Sequence, residues 1–190
     1  MQKEIFIDTE TTGLDPIKNG IIEIGGVIRY DKVYEEFNFN CCIFAEDEIT
    51  ASALEINGYT EEDIITFPDP LDTYTLFIKL LDKHINRYDP KDKAYFIGFG
   101  AEYDMKFLRS WFDKNDEKPF FGSYFWHPPI DVSILAAQYI KNKQDRTKLA
   151  NFKLKSVSNY FGIKLETNEK LHSALIDAKL AMKIYNIVTK

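Results

Sequence analysis

Apolar and polar positions follow two rhythms along this chain, and the change between them divides it into a strand-rich beginning and a helix-rich remainder. Glu4 to Asp8 is a short apolar run that ends on an acid, Ile21 to Tyr30 is a longer one, and Val33 to Phe44 alternates in part. With turns at Asn19-Gly20 and Asp31-Lys32, these runs predict three strands in a meander. The period then lengthens. Ile49 to Asn57 and Thr60 to Ile65 read as short helices, and Leu71 to Tyr88 places Leu71, Tyr74, Phe77, Ile78, Leu81 and Ile85 at amphipathic helical spacing. Ala94 to Phe99 predicts one more strand. Helices follow over Tyr103 to Lys114, Val132 to Asn142, Lys153 to Phe161 and Ala174 to Thr189, with Pro119 and Pro128-Pro129 in the loops between them. The order implies an α/β domain with a mixed sheet flanked by helices. No repeat or linker divides it, so residues 1–190 are expected to form a single domain.

Composition narrows this picture. Hydrophobic residues at 45% and aromatics at 15% exclude long disorder. The amino terminus lacks a basic and apolar leader pattern, and no apolar run is long enough to span a bilayer, so a cytoplasmic protein without a membrane partner is expected. Cys41 and Cys42 are adjacent in a predicted strand, where side chains alternate between faces, so they are expected to remain reduced. The net charge of −6 argues against a protein that coats nucleic acid over many phosphates. It leaves room for an enzyme that grips one strand end, because divalent cations can turn a carboxylate pocket into an anion site.

Three acidic clusters carry the candidate chemistry. Asp8 and Glu10 lie two apart where the first strand ends, so both carboxylates project to one side of an extended backbone. Asp104 follows the Ala94 to Phe99 strand at the start of a helix, where an acid also suits the helix dipole. His172 and Asp177 are five apart, about 140° around a continuous helix, and converge only if His172 precedes the helix. Taken singly, each has a purely structural explanation. His84, in a charged helical stretch, and His127, before two prolines, lack zinc-ligand spacing. Asp131 is expected to cap a helix and Asp15 to serve a turn.

Together the clusters resemble the DEDDh exonucleases, the family of the DNA polymerase III epsilon proofreading subunit, RNase T and oligoribonuclease. The first motif is Asp8-Thr9-Glu10-Thr11-Thr12-Gly13-Leu14-Asp15-Pro16, followed by Ile22-Glu23-Ile24-Gly25. The second is Ala101-Glu102-Tyr103-Asp104, and the third is His172-Ser173-Ala174-Leu175-Ile176-Asp177-Ala178. Weaker echoes stand at Ile56 to Thr60 and Ile130-Asp131. Two departures are Gly100 in place of the usual Asn, expected to remove a supporting hydrogen bond, and Tyr103 in place of Phe, expected to keep its packing role.

The resemblance implies a ribonuclease H-like fold with a five-stranded mixed sheet, and 3′-to-5′ exonuclease action on the 3′ end of single-stranded DNA or RNA. It implies two Mg²⁺ or Mn²⁺ ions, with Asp8 shared between them, Glu10 and Asp177 on one and Asp104 supporting the other, and His172 as general base. Thr11, Thr12 and Leu14 are the expected substrate contacts. Phe107, one turn after Asp104, is a weaker stacking candidate with a core position favoured. Lys141 to Lys155, rich in cations, is either a solvated loop or a guide for phosphates beside the pocket. Two alternatives remain: a catalytically idle binding or adaptor module on the same fold, and a phosphoesterase for very short oligonucleotides. A homodimer is left open. The absence of a tail after the last helix makes a polymerase partner less expected than a free-standing enzyme.

Overall fold

The computed structural model describes residues 2–115, 120–164 and 173–190. The expected meander forms from β1 (Lys3–Thr11), β2 (Ile21–Tyr30) and β3 (Val33–Asn40), all antiparallel neighbours. β4 (Ala94–Gly98) lies parallel to β1, and β5 (Ile130–Asp131) parallel to β4, giving a five-stranded mixed sheet in the order β3-β2-β1-β4-β5. This is the ribonuclease H-like arrangement that the sequence leads one to expect.

Three boundaries differ from the hydrophobic pattern. β1 continues three residues past Asp8, because Thr9 and Glu10 pair with Ile24 and Glu23 of β2 although they are polar. β3 stops at Asn40 rather than Phe44: the Cys41 amide still bonds to the Ile22 carbonyl of β2, but the Cys42 amide turns away to the Pro68 carbonyl. β5 has only two residues, too few for any periodicity to reveal it.

The helices are α1 (Ala51–Asn57), α2 (Glu61–Ile64), α3 (Pro70–His84), α4 (Ala101–Lys114), α5 (Val132–Asn142), α6 (Leu154–Tyr160) and α7 (Ala174–Val188). α3 ends four residues before the apolar pattern suggests. Ile85 is extended there, and the Asn86 amide bonds to Asp92 instead of continuing the helix. α4 begins two residues early because Gly100, at φ +84, takes the left-handed conformation of an N-cap that glycine tolerates without a Cβ clash. α5 matches its expected bounds, and the Asp131 side chain caps it by accepting from the Ser133 amide.

The pleat sorts the core into two layers. Ile5 and Ile7 of β1 face α3 and α4 and join Tyr74, Phe77, Trp111 and Phe112. Phe6 faces the other way and joins Val132, Val157, Ala178 and Ile184 from α5, α6 and α7. Full burial of side chains of this kind contributes about 1.5–3 kcal/mol each, enough to fix the register of β1 and hence the direction in which its terminal acids point. Among the described residues no helix is long and apolar enough to cross a membrane.

Candidate active site

The carboxylates are brought together by the same alternation that builds the core. Asp8 and Glu10 continue the even-numbered face begun by Phe6, the face covered by α7, whose first turn carries Asp177. α7 can lie this close because its neighbour in β2 is Gly25, opposite Asp8, where a Cβ would come within 2.1 Å of the Leu175 amide nitrogen. As a result, carboxylate oxygens of Asp8, Glu10 and Asp177 lie within 4.8 Å of one another.

Asp104 reaches the site from the sheet's other face. One of its carboxylate oxygens accepts from the Thr9 amide at 3.0 Å and the Thr9 hydroxyl at 2.8 Å. It therefore stands beside Asp8 but outside the tight three-acid group. The four expected carboxylates occupy one region, three of them converging and one anchored alongside.

Electrostatics in this region favour protons or cations. Burial, followed by repulsion from Asp104, Asp177, Glu10 and Glu23, raises the Asp8 carboxyl well above its ordinary value. Burial, with repulsion from Asp177, Glu23 and Asp104, pushes Glu10 from 4.5 up to about 8. Asp104 is pushed by burial from 3.8 to about 7, with the Thr9 hydrogen bonds opposing the rise. A set of hard oxygen donors that resists carrying its full negative charge alone suits Mg²⁺ or Mn²⁺. It fits the expected cofactor.

Glu23 is an acid that the sequence reading did not single out. It is 1% exposed, lies opposite Glu10 in the β1–β2 ladder, and accepts from the Tyr59 hydroxyl at 2.9 Å, the Ser173 hydroxyl at 3.1 Å and the Ala174 amide at 3.2 Å. Glu23 thus fastens β2 to the N-terminus of α7 and to the segment after α1. The signal was present in the sequence: a carboxylate between Ile22 and Ile24 in an otherwise apolar run must be buried, and a buried acid needs donors.

Beside Glu10 opens a mainly apolar pocket of about 240 Å³, bounded by the Thr11–Leu14 turn, α1 and Tyr103. The turn begins at a bulge in which β1 passes from Glu10 opposite Glu23 to Thr11 opposite Ile21, re-aiming the chain at the sheet edge. Leu14 is 85% exposed at the rim and Ile56 is 59% exposed across from it. Thr11 lines the pocket, and its carbonyl accepts from the Asn57 side chain at 2.8 Å.

One expected contact is corrected, and Phe107 takes the core position that its helical face favoured. Thr12 is fully buried, its hydroxyl accepting from the Gly20 amide and donating to the Glu48 carbonyl, so it holds the turn rather than meeting substrate. Phe107 is 1% exposed in the core and packs against Tyr103 at a ring separation of 4.8 Å, so no base can stack on it. Tyr103 does more than pack: its hydroxyl lies 2.7 Å from the Thr11 hydroxyl and donates to the Gly13 carbonyl at 2.8 Å. Gly100 keeps a supporting bond through its own amide, which donates to Asp131. His172 lies outside the described residues; α7 begins after it, at Ala174.

The other expectations resolve locally. Asp15 accepts from the Ile17 amide and closes a turn. His84 is buried between the Tyr30 hydroxyl and Glu35, a structural position. Cys41 and Cys42 are free thiols just past β3. The basic loop starts away from the site: α5 leaves Asp131 and runs for eleven residues, about 16 Å, before Lys143. At that end Lys148 pairs with Asp145, which also accepts from the Tyr160 hydroxyl.

A mixed sheet of this order with convergent acids at the end of its central strand defines the class of ribonuclease H-like nucleases. The exonuclease family model, RNase T, matches residues 5–185, and the chain belongs to that family, in its DnaQ-like 3′-to-5′ branch. Among curated relatives, DNA polymerase III subunit epsilon of Buchnera aphidicola subsp. Baizongia pistaciae is 28% identical over 193 residues, covering 98% of this chain and 71% of the relative. The Rickettsia typhi epsilon subunit is 28% identical over 190 residues, covering 98% and 74%. DNA polymerase III PolC-type of Thermotoga maritima is 28% identical over 182 residues, covering 95% of this chain and 11% of that protein. Among solved structures, E. coli exonuclease I in complex with a dT13 oligonucleotide superposes with a TM-score of 0.76 at 17% identity. That alignment covers all of this chain and 41% of exonuclease I, a likeness of fold.

Proposed function

We propose that this protein hydrolyses the terminal phosphodiester at the 3′ end of a single-stranded nucleic acid and releases nucleoside 5′-monophosphates one at a time. The observation that carries the reading is the convergence of Asp8, Glu10 and Asp177 within 4.8 Å, directly beside a mainly apolar pocket of about 240 Å³ with room for a nucleotide base. Asp8, Glu10 and Asp177, with Asp104 alongside, would hold the divalent cations, two in number on this proposal. When bound, such cations make water a stronger nucleophile and offset charge on the phosphoryl and departing 3′ oxygens.

The chain's own groups supply the remainder. Leu14 and Ile56 form an apolar cleft for the terminal base, and the Thr11 backbone meets its sugar. Thr9 keeps Asp104 oriented through two hydrogen bonds to one of its carboxylate oxygens. Glu23 holds the start of α7, and with it Asp177, against β2. His172, which the third motif places just before that helix, takes the proton from the attacking water at an imidazole nitrogen; an ordinary pKa of about 6.5 suits the role near neutral pH. The single-stranded oligonucleotide bound by exonuclease I supports a strand-end substrate. Retention of the four carboxylates favours an active enzyme over an idle module.

The deciding experiment incubates 5′-labelled single-stranded DNA and RNA of graded length with the protein and Mg²⁺, with and without EDTA. A ladder shortening from the 3′ end in the metal-containing arms is expected, and Asp177→Asn should abolish it. Absence of nucleotide release, or equal release in EDTA, refutes the reading. Turnover confined to dinucleotides would instead point to a short-oligonucleotide phosphoesterase.

A further inference from the structure

The Thr11–Leu14 turn has a problem that the fold must solve. It holds Leu14 out at 85% exposure, with little packing of its own to fix it. Yet Leu14 lines the pocket beside Glu10, so its position sets the width of the cleft. The turn must therefore be held from its own backbone and from neighbouring elements.

Three polar side chains do this. Asn57, at the end of α1, donates to the Thr11 carbonyl at 2.8 Å, and Thr50 donates to the Thr12 carbonyl at 3.0 Å. Both hold the turn from the α1 side. Tyr103 holds it from α4, with its hydroxyl 2.7 Å from the Thr11 hydroxyl and 2.8 Å from the Gly13 carbonyl, the last peptide oxygen before Leu14. The Thr11 hydroxyl itself lies 2.8 Å from that carbonyl. Two hydroxyl protons cannot fill three short contacts. Tyr103 donates to the Gly13 carbonyl, and the Thr11 proton goes to that same carbonyl or to the Tyr103 oxygen, so in either arrangement the Tyr103 hydroxyl is tied to the turn. The Tyr103 ring is fixed in turn by the fully buried Phe107, at 4.8 Å. The brace thus runs from the core, through a ring pair, to the base of Leu14. Asp104 follows Tyr103 directly in α4, so one helical turn sets both an acid of the site and the rim of the pocket.

We propose that Tyr103 is a positioning residue for the terminal nucleotide, its hydroxyl locking the Thr11–Gly13 turn so that Leu14 is held in place over the pocket. The inference rests on the exonuclease reading for its substrate, but not for the brace itself. On that reading Leu14 lies against the base and away from the reacting phosphate, so loosening it is expected to weaken binding rather than chemistry.

The test compares wild type, Tyr103→Phe, Leu14→Ala and the double variant on single-stranded oligothymidylate with Mg²⁺. Tyr103→Phe keeps the ring packed against Phe107 and removes only the hydroxyl. It should raise KM about fivefold, the size of one net hydrogen bond, with kcat changed less than twofold. In the double variant the two effects should not multiply, because Tyr103 acts through Leu14. An unchanged KM in Tyr103→Phe, or multiplying effects in the double variant, overturns the proposal. A second measurement does not depend on turnover: amide hydrogen exchange across residues 11–14 of the free protein should be about fivefold faster in Tyr103→Phe, with the thermal midpoint nearly unchanged. Equal exchange in the two proteins also overturns it. If the wild type released no nucleotide, the exonuclease reading would fall while the exchange result still decided whether the brace exists.

Discussion

Replacing Glu10 with Gln should stabilise the metal-free protein at alkaline pH, and the size of the gain can be worked from the site. Glu10 is 7% exposed, faces Glu23 across the β1–β2 ladder, and shares its surroundings with Asp177 and Asp104. Its carboxyl is pushed from 4.5 to about 8, so the folded state binds this proton more tightly than the unfolded chain does. The stability linked to that proton is fully present below about 4.5 and is lost as pH rises through about 8. For an isolated group the loss would be roughly 5 kcal/mol. Asp104, raised from 3.8 to about 7, titrates against the same charges, so the two losses overlap rather than add. Water reaches the cluster through the half-buried Asp8, which reduces the figure further. About 3 kcal/mol is the expected gain for Glu10→Gln at pH 8.5, roughly 6–12 °C in a chain of this size. The assay is thermal denaturation in EDTA at pH 6 and pH 8.5. The wild type should melt lower at the higher pH, the variant should lose most of that difference, and Mg²⁺ should restore the wild type because it binds the folded state. Identical midpoints for both proteins at pH 8.5 in EDTA would refute the argument that crowded carboxylates destabilise the empty site.

Other outcomes follow from single positions. His172→Ala should lower kcat by roughly 10²–10⁴-fold while leaving metal binding intact, read from single-turnover rates across pH; a variant with the wild-type rate and profile removes His172 from the mechanism. Gly25→Ala should cost about 1–3 kcal/mol, measured by urea denaturation, and reduce turnover as well, because its Cβ would displace the start of α7 and move Asp177. Unchanged activity would show that α7 tolerates the shift. Lys143→Ala combined with Lys148→Ala should leave KM and its salt dependence unchanged, since these side chains leave the end of α5 remote from Asp131; a flattened salt slope would mean that substrate reaches that end.

The sequence by itself determined the order of the first four strands and of the helices, and the identity of four acids, since each is written in local periodicity or in a motif a few residues long. Asp8 and Glu10 could be placed on one face because strand alternation is strictly local. The bounds of α5 were legible for the same reason, with Asp131 as its cap and a clean apolar stripe. The tertiary structure alone decided what depends on partners far along the chain. The extension of β1 through Thr11 rests on pairing with β2, since the polar Thr-Glu-Thr offers no apolar alternation that would reveal it. The two-residue β5 exists only because β4 offers it an edge. Thr12 turned inward because the Gly20 turn supplies its partner, which a motif position does not reveal, whereas the core position of Phe107 was legible in its helical face. Glu23 joined the site through donors 36, 150 and 151 residues away, and Tyr103 through a turn 90 residues earlier. Burial and hydrogen-bond completion are properties of the packed chain, so the residues that hold the acids in place emerge only when the distant segments meet.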